Sequence, residues 1–102
     1  MFEIVSVFTR PDTEVDFFYR VHGGHSVVQE ILKAYNQSTG STGTSLKYFD
    51  GYRMEVSMTF ENKNQFWKFV EDNKELLDQR SKLIEDWCER TGHTYSFYTN
   101  DV

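Results

Sequence analysis

The sequence is poor in the features that mark secreted and membrane proteins. It contains one cysteine, Cys88, which cannot form an internal disulfide and therefore favours a reducing compartment. No segment approaches the roughly 20 apolar residues of a membrane-spanning helix. The first ten residues have no basic leader and carry Glu3 inside an apolar run, unlike a signal peptide. We therefore expect a cytoplasmic protein that does not bind a membrane.

Clusters of positive charge are also lacking. The chain has 16 acidic and 11 basic side chains, which give a formal net charge of −5 at pH 7. An acidic protein without a local cluster of Lys and Arg repels the phosphate backbone of DNA and RNA. We therefore expect no nucleic-acid partner.

Aromatic side chains, in contrast, are abundant. The 102 residues include nine Phe, six Tyr and two Trp, and each aromatic side chain can bury about 150–250 Å². A chain of this length has room for one core, so residues 1–102 are predicted to form a single domain.

Four strands are predicted from apolar patterns, over residues 2–9, 45–48, 52–60 and 93–99. The first is apolar on both faces, which is typical of a central strand. The second and third are predicted to form a hairpin through a three-residue loop that ends at Gly51. This loop pairs Tyr48 with Tyr52 and Leu46 with Met54, which keeps the apolar faces together and gives Gly51 a left-handed conformation.

Two helical regions are predicted between these strands. A capping box of Ser26 and Gln29 begins the first, and Asn62 with Gln65 begins the second. Polar residues near 72–73 indicate that the second region is bent or broken there, and Gly92 ends it. Residues 12–21 stay ambiguous between an irregular arm and a single helical turn.

This order of elements predicts an α+β fold, a ferredoxin-like split βαβ plait of order β-α-β-β-α-β. Its four-stranded antiparallel sheet has the first and third strands in the centre and the helices on one face. The other face then carries Val5 and Val7 without a cover. We therefore expect a homodimer in which a second copy packs on this face.

The element order, the Asp50-Gly51 hairpin, the interrupted second helical region and the strand after Gly92 together resemble the dimeric α/β-barrel superfamily. The chain is also similar to small uncharacterised proteins of this type from marine phage and environmental sequences. The resemblance implies pairing of two sheets, as in the monooxygenase-like and isomerase-like members. No active-site motif of those enzymes is present, so no catalytic residue is carried over.

The stretch Arg20–Ser26, "RVHGGHS", is where the sequence looks most like a chemical site. Two histidines three residues apart can share a metal, but a catalytic zinc needs three protein ligands and a structural zinc needs four. No suitably spaced Cys, His, Asp or Glu supplies the others. We interpret the stretch as a turn in which Gly23 and Gly24 supply unusual dihedral angles. We predict no metal, no cofactor and no catalytic residue.

The candidate ligand or interface face consists of Arg53, Glu55, Lys47 and Tyr98. Arg53 and Glu55 are two residues apart on one strand and so share a face, where an arginine can bind a carboxylate. The preferred hypothesis is a non-enzymatic module that binds a small organic ligand or a partner. The alternative is a cofactor-independent monooxygenase-like or isomerase-like enzyme. An enclosed pocket of roughly 300 Å³ or more, with His or Tyr converging on its apolar interior, would favour this alternative.

Overall fold

The structure is a computed structural model that describes residues 1–40 and 45–101, with the backbone alone for residues 45–48. It contains, in chain order, β1 (Phe2–Thr9), α1 (Phe18–His22), α2 (Ser26–Thr39), β2 (Ser45–Phe49), β3 (Arg53–Phe60), α3 (Lys63–Asp72), α4 (Lys74–Thr91) and β4 (Thr94–Asp101). None of the helices among these residues is long and apolar enough to cross a membrane.

The strands form one sheet in the order β2-β3-β1-β4, and each neighbouring pair is antiparallel. The predicted central position of the first and third strands is therefore confirmed. β1 occupies its predicted residues, and its two apolar faces agree with its place between β3 and β4.

The hairpin register differs from the predicted one by two residues. Tyr48 lies opposite Met54 instead of Tyr52, and Phe49 lies opposite Arg53. A shift of two residues keeps every side chain on its predicted face, so the apolar pattern could not distinguish the two registers. Gly51 has the predicted positive φ, of 82°, and the preceding Asp50 also has a positive φ, of 49°.

The start of α2 corrects the predicted capping box. His25, and not Ser26, is the N-cap, and its Nδ1 accepts a hydrogen bond from the Val27 backbone N–H at 3.1 Å. The Gln29 side chain donates to the Gly23 carbonyl instead of reaching back to Ser26. The predicted unusual dihedrals at the two glycines are also wrong, because neither has a positive φ. Gly23 is needed for space, since a Cβ there would lie 2.6 Å from the Tyr19 carbonyl oxygen.

The second helical region is broken where the sequence predicted. α3 ends at Asp72 and α4 begins at Lys74, while both nitrogens of Asn73 donate to the Phe69 carbonyl. The predicted cap at the start of α3 is present, with the Gln65 N–H donating to Asn62 Oδ1 at 2.9 Å. Gly92 ends α4 with φ of 77°.

The predicted ferredoxin-like β-α-β-β-α-β plait is wrong, because the chain has eight elements and four helices instead of six elements and two helices. The second helical region is two separate helices, and α1 adds a further one. α1 has only five residues, too few to give a periodic sequence signal. It is held by packing, since Phe18 is fully buried and stacks on Phe8 of β1.

The core lies between the helices and one face of the sheet, and it consists of two clusters of buried side chains. The first contains Phe8, Phe17, Phe18, Val28, Met54, Val56 and Ile84. The second contains Phe2, Ile31, Tyr35, Phe60 and Phe69. We call the face of the sheet that carries this core the helix face. The opposite face, which carries Val5 and Val7, is called the second face.

Candidate functional site

A cavity of about 280 Å³ lies between the helices and the sheet. Its lining includes Val28 and Val56 from the first core cluster and Ile31, Phe60 and Phe69 from the second, so the cavity separates the two clusters. Most of the remaining lining is also apolar. A concave apolar space with a few polar groups is the usual form of a small-molecule site.

The main polar group of this cavity is the guanidinium of Arg80, on α4. Its Nε and Nη2 both donate to the Tyr19 hydroxyl, at 2.9 and 2.7 Å, and Nη2 also donates to Ser6 Oγ at 3.3 Å. The Tyr95 ring lies beside it, with its centroid 6.0 Å from Cζ. These neighbours are neutral hydroxyl groups, and no carboxylate within the described residues forms an ion pair with Arg80.

The surroundings of Arg80 act on its charge in opposite directions. Burial lowers the pKa of the guanidinium, whereas Tyr19 and Tyr95 raise it, and the net shift of the pKa is upward. Arginine is protonated at any physiological pH in either case. The cavity therefore contains a permanent positive charge.

Arg80 and Ser6 were missed in the sequence, although each interrupts an apolar pattern. Arg80 lies three residues after Leu77 and four before Ile84, so it belongs to the apolar stripe of α4. Ser6 lies between Ile4 and Phe8 on the helix face of β1. The available signal was these two polar residues at apolar positions, and they contact each other in the fold.

Three of the residues predicted for the second face do come together. Glu55 accepts from Arg53 Nη2 at 2.8 Å with one carboxylate oxygen and from the Tyr98 hydroxyl at 3.0 Å with the other. The bond to Glu55 raises the pKa of Tyr98, with burial a smaller cause. Lys47 lies opposite Glu55 in the β2–β3 register, and its side chain lies outside the described part of the structure. None of the three side chains lines the cavity.

The second face is better covered than the sequence suggested. Val5 and Val7 retain 3% and 7% of their accessible surface, although no helix packs on them. Glu55 lies opposite Val7 on β3, and Tyr98 lies opposite Val5 on β4, so their hydrogen bond passes over β1. Long polar side chains bury these valines within one chain.

The histidines and Cys88 show no arrangement for metal binding. Among the described residues, no three His, Cys, Asp or Glu side chains are placed to hold a metal ion. His22 stacks on Phe18 within α1, and His25 caps α2, so only residues 23–25 of this stretch form the predicted turn into a helix. Cys88 is half-buried beside the first core cluster, and burial raises its pKa, which leaves the thiol protonated at neutral pH.

A scan against protein-family models matches no family, and searches of curated proteins and of solved structures find no match to the chain either. The site must therefore be interpreted from its own geometry.

Proposed function

We propose that this protein is a small binding module that holds a mostly apolar molecule in the cavity between its helices and its sheet. The cavity itself supports this proposal, because well-packed interiors contain few voids larger than a water molecule. A space of 280 Å³ that both core clusters border exposes apolar surface, and a ligand that covers this surface gains from its removal from water. The ligand site thus lies on the helix face, and not on the second face where the sequence suggested it.

The volume limits the size of the ligand. One water molecule occupies about 30 Å³ in the liquid, so a volume of 280 Å³ suits a ligand of roughly ten non-hydrogen atoms. This is near the lower end of the roughly 300–1,000 Å³ of typical ligand pockets. A short alkyl chain or a single substituted ring fits such a space.

Binding is favoured over the alternative of a cofactor-independent enzyme. Tyr19 and Tyr95 do line the cavity, and its volume is close to the roughly 300 Å³ that would favour an enzyme. However, no carboxylate, imidazole or thiol occurs among the described residues that line it. General base catalysis most often uses such a group within hydrogen-bond reach of the substrate. The lining offers hydroxyl groups and a cation, which bind and orient more readily than they accept a proton.

The test is displacement of 1-naphthylamine, a neutral dye of about the expected ligand size whose emission increases in apolar sites. The wild-type protein should bind the dye with saturation, and a series of short alkyl compounds should displace it. Leu32→Trp adds an indole to the cavity lining and should weaken dye binding about tenfold or more.

The matched control is Lys33→Trp, which adds the same indole to the exposed side of α2. This variant should bind the dye like the wild type. Absence of saturable binding by the wild type, or equal effects of the two substitutions, would contradict the proposal.

We also propose that two copies associate through the second face, which is what the resemblance to the dimeric α/β-barrel superfamily implies. Phe49 and Tyr98 remain exposed there and support such a contact. The burial of Val5 and Val7 within one chain makes that face less apolar than expected. Light scattering should give twice the chain mass of 12.1 kDa. A single-chain mass at micromolar concentration would contradict the dimer. A cytoplasmic location fits the single cysteine.

A further inference from the structure

We propose that the cavity ligand is a monocarboxylate whose head group binds Arg80 and whose apolar part extends between the two core clusters. This inference rests on the proposed function, and it adds the chemical class of the ligand. It combines the unpaired charge of Arg80, the hydroxyl groups around it and the apolar remainder of the cavity.

The charge of Arg80 is the first step. Arg80 is half-buried, and partial removal of an arginine from bulk water is costly unless an opposite charge lies nearby. Here the guanidinium contacts the hydroxyls of Tyr19 and Ser6, and no acid within the described residues pairs with it. An anionic ligand would supply the missing charge.

The hydrogen-bond directions point to an acceptor. Arg80 has five N–H donors, and Nε and Nη2 use three of them for Tyr19 and Ser6, so two donors remain for a ligand and for Tyr95, which also interacts with the guanidinium. The Tyr19 oxygen accepts two of these bonds and keeps its own hydrogen to donate. Tyr95 places a second phenolic hydroxyl 3.4 Å from Ser6 Oγ. A carboxylate only accepts hydrogen bonds, which matches this group of donors.

A single negative charge fits better than two. Arg80 is the one cation among the described residues that line the cavity. The chain as a whole is acidic, so a second charge on the ligand would meet no local partner. Phosphate monoesters carry close to two charges at neutral pH. One guanidinium therefore matches a carboxylate more closely than a phosphate.

The apolar end of the ligand follows from the position of Arg80. Phe60, Phe66 and Phe69 line the cavity together with Ile31 and Leu77, and none of these side chains carries a charge. A head group on Arg80 therefore leaves its alkyl or aryl part among aromatic and aliphatic carbons. Octanoate has ten non-hydrogen atoms and is a suitable probe for both requirements.

Arg80 also has a structural consequence, since its bonds link α4 to Tyr19 on α1 and to Ser6 on β1. If Arg80 were only structural and did not contact the ligand, affinity would depend little on the charge of the head group. The experiment therefore compares head groups on one chain length in the wild-type protein, before any substitution is made.

The test is isothermal titration calorimetry at pH 7.5 with octanoate, 1-octanol, octylamine and octyl phosphate. A hydrogen-bonded ion pair predicts that octanoate binds at least about tenfold more tightly than 1-octanol. Octylamine should bind most weakly, and octyl phosphate should bind less tightly than octanoate. Equal binding of octanoate and 1-octanol would overturn the carboxylate inference and leave the binding function intact. Tighter binding of octyl phosphate would overturn the choice of carboxylate.

Failure of all four probes to bind would overturn the binding function itself, and this inference with it. Arg80→Met should remove the preference for octanoate over 1-octanol, whereas Arg80→Lys should keep part of it by keeping the charge. Arg90→Met, at an exposed position of the same helix, is the matched control and should retain the full preference. Thermal unfolding by circular dichroism identifies variants that fail to fold, and the wild-type comparison decides the question without them.

Discussion

An arginine lies beside a tyrosine on each side of the sheet. The two sides differ in whether a carboxylate pairs with that arginine. On the second face, Arg53 and Tyr98 both bind Glu55, so charge and hydrogen bonds are satisfied within the chain. On the helix face, Arg80 binds Tyr19 and no acid within the described residues. The first arrangement is complete by itself, while the second lacks an anion. A satisfied polar network indicates a structural surface, and an unsatisfied one in a cavity indicates a binding site.

The largest expected effect is on the free energy of unfolding, when two adjacent residues of β1 that point to opposite faces are each replaced by alanine. Phe8 is fully buried among Phe18, Tyr19 and Tyr95, and Phe8→Ala should lower the free energy of unfolding by about 3–5 kcal/mol. Val7 is covered by side chains of the second face only, and Val7→Ala should cost about 1–2 kcal/mol. Urea denaturation measures both. Equal losses would mean that the second face is packed as firmly as the core.

The next effect concerns the Tyr35 hydroxyl, which donates to the Thr59 carbonyl at 2.8 Å and accepts from the Thr59 N–H at 2.9 Å. Tyr35→Phe removes both partners from these backbone groups and should cost about 2 kcal/mol in urea denaturation. Tyr52→Phe is the control, since this side chain is about half exposed, and it should change stability by less than about 0.5 kcal/mol. An unchanged stability of Tyr35→Phe would show that water replaces the hydroxyl.

Acid should act on the helix side of the molecule through His93. Burial lowers the pKa of this histidine below 6.5, Arg10 lowers it further, and Asp12 opposes them. The unfolded chain therefore takes up a proton at a higher pH than the folded chain, so stability falls as the pH drops below about 6.5. His93→Gln should flatten this part of the profile of unfolding free energy against pH. An NMR titration that gives His93 an ordinary or raised pKa would contradict the prediction.

Alkali should act on the second face through Tyr98, with the smallest effect because its side chain is 41% exposed. The bond to Glu55 raises the pKa of Tyr98 above 10, so the unfolded chain loses this proton first. The contribution of the bond is then present below pH 10 and is lost as the pH rises through the raised pKa. Tyr98→Phe should make the loss of stability above pH 10 shallower, as followed by denaturation at several pH values. Parallel profiles for the two proteins would contradict this.

Local signals predicted much of the fold. The first strand, the cap at Asn62, the interruption near residue 73 and the helix end at Gly92 agree with the structure. Each depends on residues within one turn or one strand, where side-chain chemistry acts directly on its own backbone. The contact between Arg53 and Glu55 was predictable for the same reason, because residues two apart on a strand share a face.

Apart from the cap of α2 and the dihedral angles of Gly23 and Gly24, the errors arose where distant parts of the chain decide the outcome. The hairpin register has two solutions that keep the apolar face, and α1 is held by Phe18 packing on Phe8 of β1 and not by a periodic pattern in its sequence. The polar part of the cavity lining is formed by residues from four separate elements, namely Ser6, Tyr19, Arg80 and Tyr95. No spacing in the sequence brings these residues together. The polar interruptions of two apolar stripes were the only local sign of them.

The contact of Tyr35 with Thr59 also bears on the behaviour of the protein in concentrated solution. Within the described residues the β2–β3 ladder runs from Ser45, opposite Ser57, and Thr59 lies beyond it. A strand with open amide and carbonyl groups can recruit a strand from another molecule. The Tyr35 hydroxyl bonds both backbone groups of Thr59. Thr59 therefore has no free backbone group on that side with which a strand of a neighbouring molecule could pair.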